Sequence, residues 1–189
     1  AGGFFQSLTY PGQGTAFAFD AFNPNAITDN FSVTDNNPGL APHSGDQFAG
    51  APYTMDATGQ SAVDADNWLI SPELSGKKQT VKFYVFNITS QDQMGSPVTY
   101  AENFDVLYST TDQDTASFVK LESDIADGTS LISEGPNWKE ISVELPAGAK
   151  YFAIHHNTPG DNNFLFGIDD VTFEKVAPGA NDSIVGFKV

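Results

Sequence analysis

Cysteine and arginine are both missing from this 189-residue chain. Without cysteine there is no disulfide, no thiolate zinc site and no thiol nucleophile. Export stays compatible with that absence, because many bacterial surface proteins carry no disulfides. Without arginine, positive charge rests on eight lysines against 24 acidic residues, a formal net charge of -16. That balance argues against a nucleic-acid partner, which needs basic side chains to neutralise phosphates, and against anionic membrane surfaces. Histidine is scarce, at three residues, so a metal centre built from imidazoles alone is not expected. No apolar run approaches the roughly 20 residues of a membrane helix, so no membrane insertion is expected. Ala1-Gly2-Gly3 reads as a mature start rather than a leader. No long helical period occurs either.

What the chain does have is short strand patterns separated by turn signals. Phenylalanine is heavy, at 16 residues, so the core is expected to be aromatic. Residues 16–22 form an early strand with Phe17, Phe19 and Ala21 on one face and Asp20 on the other. Ser44-Gly45-Asp46 is a tight turn opening a short strand, and 52–66 is irregular. Trp68-Leu69-Ile70 is a buried strand, ended by Pro72, with Trp68 in the core. In 79–86, Val81, Phe83 and Val85 face one side; Tyr84 and Phe86 make the other side apolar too, which calls for a covering loop. Residues 89–101 are a polar excursion. Phe104, Val106 and Tyr108 share a face in 102–109. The segment 116–122 fits a short helix or a strand, and 123–137 is a loop. In 138–145, Trp138, Ile141, Val143 and Leu145 point inward. Of His155 and His156, alternation puts one in the core or at an edge and leaves the other exposed. Together this is an all-β sandwich of two antiparallel sheets. One domain over 1–175 is followed by a Pro-Gly break, with 176–189 a linker or the start of a further module.

Catalytic chemistry finds little support. Ser44, His43 and the acids include no nucleophile elbow or oxyanion-loop signature. Asp169 and Asp170 are neighbours, so in a regular strand they point to opposite faces and make a poor acid/base pair. Yet a strand interior holding two carboxylates needs a reason, since an unpaired buried charge is costly. Periodicity does not say which of the two is buried, because both faces of 164–173 carry apolar residues. Calcium is the chemistry the composition favours, as it takes six to eight oxygens from carboxylates and carbonyls. Asp64-Ala-Asp66 and Asp112-Gln-Asp114 lack the spacing of a calcium loop and read as solvated turns.

Several segments together resemble a known family. Asn67-Trp-Leu-Ile-Ser-Pro-Glu-Leu, Leu145-Pro-Ala-Gly-Ala-Lys-Tyr-Phe-Ala-Ile-His-His and Gly167-Ile-Asp-Asp-Val-Thr-Phe occur in that order. With Pro42-His-Ser-Gly-Asp-Gln-Phe they are similar to the cleaved adhesin domains of gingipains and the related choice-of-anchor J domains of bacterial surface proteins. The resemblance spans roughly residues 16–175. It implies a jelly-roll β-sandwich like galactose-binding and MAM domains, secretion to the bacterial cell surface, and a non-catalytic adhesive role. It also implies a structural Ca2+ held by an acid on an early strand (Asp20), the turn residues Ser44 and Asp46, and Asp169 or Asp170. The family opens on a Phe-Glu strand; here Gly3-Phe-Phe-Gln is nearest and has no acid, which puts one ligand in question or starts the chain inside the domain. The expected partner is a host or other extracellular protein, or a glycan. The alternatives are a carbohydrate-binding module of a secreted enzyme, with Phe22, Phe31, Tyr53, Tyr100 and Phe164 as candidate platforms, and a structural spacer.

Overall fold

The structure is a computed structural model that describes residues 19–23, 41–52, 54–55, 62–91, 97–99, 102–127, 130–131, 138–160 and 165–176. In chain order the strands are β1 (Asp20–Phe22), β2 (Phe48–Pro52), β3 (Thr54–Met55), β4 (Ala62–Val63), β5 (Asn67–Ile70), β6 (Gln79–Gln91), β7 (Pro97–Thr99), β8 (Glu102–Ser109), β9 (Val119–Asp127), β10 (Ser130–Leu131), β11 (Lys139–Leu145), β12 (Tyr151–His156) and β13 (Leu165–Thr172). A 3-10 turn spans Thr115–Ser117.

The strands form a seven-stranded sheet and a four-stranded sheet, with β3 and β4 pairing apart from both. The larger runs β1-β2-β13-β6, and β6 also carries β7, β10 and β11. The smaller runs β5-β12-β8-β9. Among the described strands all pairings are antiparallel except the short contact of β10 with β6. This is a β-sandwich of jelly-roll type.

Between the sheets lies the core that the alternation anticipates. Val81, Phe83 and Val85 of β6, Ile141, Val143 and Leu145 of β11, and Phe166 and Ile168 of β13 face Phe104 and Val106 of β8 and Phe152 and Ile154 of β12. Phe104 stacks on Phe166 with ring centroids 5.1 Å apart. Each such fully buried side chain contributes about 1.5–3 kcal/mol.

The outer faces are covered as well. On the larger sheet, Phe86 is fully buried beneath Trp138, whose ring meets it edge-on at 4.4 Å, and beside Phe48 at 5.1 Å. Trp138 therefore does not point inward with Ile141. It precedes β11, and it caps the opposite face. On the smaller sheet, the β8–β9 connection crosses outward: the Gln113 amide donates to the Ser71 carbonyl, and Phe118 meets Trp68 at 6.0 Å. Trp68 is half-buried there rather than in the core.

Several connections read as irregular are partly strand. β6 runs on to Gln91 and pairs with β7, and β9 continues to Asp127. The segment around 116–122 resolves into both expected forms, the 3-10 turn and then β9. The early strand begins at Asp20; residues 16–18 lie outside the described residues, and Phe19 packs against the core. At the other end, Leu74 bridges Lys175 and the Val176 amide donates to the Glu73 carbonyl, so the chain stays tied to the sandwich through Val176.

Candidate functional site

The two carboxylates of β13 owe their positions to a bulge. Ile168 sits opposite Val85 and Asp169 opposite Tyr84, but the next paired residue is Thr172, opposite Lys82. One extra residue is thus accommodated in β13, and Asp170 takes a left-handed conformation with φ of 49°. Aspartate tolerates that region better than most residues with a Cβ. Strict alternation would have separated the acids. The bulge instead turns both toward the outer face, and Val171 and Phe173 return to pack on the core.

Facing them is the segment 41–47, a strap that leads into β2. The Ser44 amide donates to Asp169 Oδ2 at 3.2 Å. The Ser44 hydroxyl donates to Asp170 Oδ1 at 2.6 Å, and the His43 ring nitrogen Nδ1 meets Asp170 Oδ2 at 2.6 Å. Asp169 Oδ1 accepts the Asp170 amide at 2.7 Å. Every oxygen of both carboxylates therefore accepts a protein hydrogen bond. The Ser44 hydroxyl and then His43 hold the Asp170 carboxyl below the usual carboxylate range.

The strap makes further contacts. The His43 ring stacks on Tyr84 with centroids 3.6 Å apart. The Tyr84 hydroxyl donates to Glu140 at 2.9 Å, and Glu140 also meets Lys82. That bond raises the Tyr84 phenol and lowers the Glu140 carboxyl from their ordinary values. The Trp138 indole N–H donates to the Ala41 carbonyl at 3.0 Å. Sequence reasoning did not assign Tyr84, Glu140 or Trp138 to this site. The signal was present in the apolar outward positions Tyr84 and Phe86, which required a cover.

The remaining candidate ligands sit differently. Asp46 is exposed in the turn at Gly45, whose φ is 62°. Asp20 pairs with Gly50 of β2, and Gly50 pairs with Gly167 of β13, so its backbone lies two strands and two residues from Asp169. The structure thus brings Ser44, Asp169 and Asp170 together. As donors these are hard oxygens with lone pairs beyond those their hydrogen bonds use, which suits calcium. Among the described residues no cluster of three or more His, Asp or Glu side chains takes metal-binding geometry. A full shell would therefore need carbonyl and water oxygens.

Two other polar groups stand out. His156 and Glu102 are fully buried and meet at 2.8 Å, with the Asn67 amide 3.1 Å from the other imidazole nitrogen. His155 stacks on Trp68 at 4.0 Å and bonds Asp66, which also accepts the Trp68 indole N–H. The two histidines therefore split between core and surface, with His155 half-covered rather than free. Of the candidate aromatic platforms, Phe22 is buried against Phe48 at 5.0 Å and cannot present its face. Phe31, Tyr53, Tyr100 and Phe164 lie outside the described residues.

No helix among the described residues is long and apolar enough to cross a membrane. Among solved structures, the K1 cleaved adhesin domain of Lys-gingipain from Porphyromonas gingivalis is similar with a TM-score of 0.56 and 23% identity, covering 86% of both chains. The K3 cleaved adhesin domain of the same protein is similar with a TM-score of 0.53 and 25% identity, covering 81% of this chain and 88% of that one. In sequence, an alignment 125 positions long that covers 59% of this chain shows 27% identity to the P. gingivalis protein Lys-gingipain HG66, and equally to its Hemagglutinin A. The chain spans only 7% and 4% of those proteins' lengths. The profile of the Cleaved Adhesin Domain matches residues 24–173. Over most of its length, then, the chain belongs to the cleaved adhesin domain family, whose domains are adhesion-related and non-catalytic.

Proposed function

We propose that this chain is an adhesion module of a secreted or cell-surface bacterial protein, binding a host or other extracellular protein or a glycan. In this reading the bulge of β13 is a clamp that pins the strap 41–47 to the sandwich. The observation that carries the clamp is the convergence of both carboxylates on His43 and Ser44. The adhesive role is supported by family membership and by similarity to segments of proteins named gingipain and hemagglutinin. The clamp's place in that role is to hold the sandwich rigid, so that its surface loops meet a partner without first being ordered.

A structural calcium ion at Asp169, Asp170 and Ser44 is the second part of the proposal, favoured by the all-oxygen donors of those three residues. When bound it would supply positive charge to the carboxylate pair of β13. Melting the purified protein with calcium and with chelator tests it. An ion at 100 times its dissociation constant that binds only the folded state should add about 2.7 kcal/mol. No shift in the melt and no calcium in the purified protein would remove the ion from the proposal and leave the hydrogen-bonded clamp. Partner class is separable by measurement: a glycan array and binding to immobilised extracellular-matrix proteins distinguish the two. Failure of both would favour a spacer.

A further inference from the structure

Trp138 makes three kinds of contact with the outer face of the larger sheet. Its ring stands edge-on to Phe86 at 4.4 Å and to Phe48 at 5.6 Å. Its edge meets His43 at 6.1 Å. Its N–H is bonded to the Ala41 carbonyl at 3.0 Å. Position 138 is itself fixed by the register of β11, since the next residue, Lys139, pairs with Val85. The indole is therefore a donor held beside the start of β11.

Beyond the stack of His43 on Tyr84, the strap has little apolar contact of its own. Residues 43 to 47 are exposed, and Gly45 gives the segment a left-handed turn. Its seat must come from its anchors. The carboxylate pair holds His43 and Ser44, while the entry to the strap, three residues before Ser44, is held by Trp138. A segment pinned at one end only would let Ser44 swing away from Asp169. Pinned at both, it keeps the Ser44 amide and hydroxyl in line with their acceptors.

We propose that Trp138 is a positioning residue for the carboxylate clamp: it seats the strap so that His43 and Ser44 meet Asp169 and Asp170. The inference rests on the clamp reading above and adds the element that aligns it. It also makes the two anchors reciprocal, because releasing either one should loosen the other.

Amide hydrogen exchange followed by NMR tests this on the full chain. Trp138→Phe keeps a ring over Phe86 but cannot donate to Ala41. It should speed exchange of the Ser44 amide roughly 5- to 10-fold while leaving the amides of Val106 and Ile154, in the other sheet, unchanged. Unchanged exchange at Ser44, or the same acceleration at all three amides, would overturn the proposal in favour of a packing role alone. A reciprocal measurement does not require that variant to fold. In Asp170→Asn, the Trp138 indole proton should exchange faster, together with the Ser44 amide. If the Ser44 amide speeds and the indole does not, the coupling to Trp138 is refuted while the clamp stands. If neither moves, the clamp itself is refuted.

Discussion

Asp170 is where a single substitution tests most of the reasoning. Its side chain accepts from Ser44 and from His43 at 2.6 Å each. A net hydrogen bond to a charged group contributes about 1.5–3 kcal/mol. Both His43 and Asp170 keep about a third of their side-chain surface in solvent, so the pair is discounted for screening, to about 2–3 kcal/mol in all. For a chain of this size a kilocalorie moves the melting temperature by about 2–4 °C. Asp170→Asn should therefore lower it by roughly 5–10 °C. Asp170→Ala should lower it further, because alanine at a φ of 49° adds about 1–2 kcal/mol of backbone strain. Asp170→Gly removes the carboxylate but relieves the backbone, so it should fall between the two. Calorimetry or circular dichroism reads the series, and a cycle with Ser44→Ala should be non-additive by about 1 kcal/mol. If all three variants melt within about 1 °C of the parent, or if the Ser44 and Asp170 effects simply add, the clamp contributes nothing and the bulge needs another explanation.

Other outcomes follow from the same contacts. Gly167→Ala would drive a Cβ into the Phe86 ring, so denaturant unfolding should show a loss of about 1–3 kcal/mol. Glu102→Ala strands a fully buried His156 and should cost about 3–5 kcal/mol; a melt within 2 °C of the parent would argue against a structural role for that pair. The Trp68 indole, then His155, hold the Asp66 carboxyl below its ordinary value. A depressed carboxylate contributes stability that is present above its unfolded value, near 3.9, and is lost as pH falls through the lower folded value. The stability gap between the parent and Asp66→Asn should thus close on acidification below about pH 4, and a gap that widens there would contradict the contact.

The architecture was legible because its signal is periodic. Val81, Phe83 and Val85 in β6 and Ile141, Val143 and Leu145 in β11 face the core as their spacing requires. Legibility failed where residues on one face answer to a neighbour distant in sequence. Trp138 is a simpler case: three residues before Ile141, it falls on the opposite face by alternation itself, and there it caps Phe86. The Asp169-Asp170 pair defeats alternation because a bulge is a change of register that no side-chain pattern announces. Polar length misled in the other direction. β6 continues through Asn87 to Gln91 and β9 through Glu122 to Asp127, since strand pairing is made by the backbone and needs no apolar side chain.

These particulars bear on what the family resemblance transfers. Its segments are the positions where the fold is most constrained. Phe152 and Ile154 fill the core, and His156 pairs with Glu102. Gly167 leaves room for Phe86, and Asp169 and Asp170 hold the strap. Phe22, the one described residue among the candidate glycan platforms, turns out to be packing. A motif made of packing and clamping residues identifies an architecture, and function is set by sites carried on it. Partner choice should then follow the surface connections and not these segments. Grafting the described surface connections of a relative onto this sandwich should move binding with them, whereas grafting its motif residues should change the melt and leave binding where it was. Binding that travels with the motif segments instead would place the recognition surface on the strands.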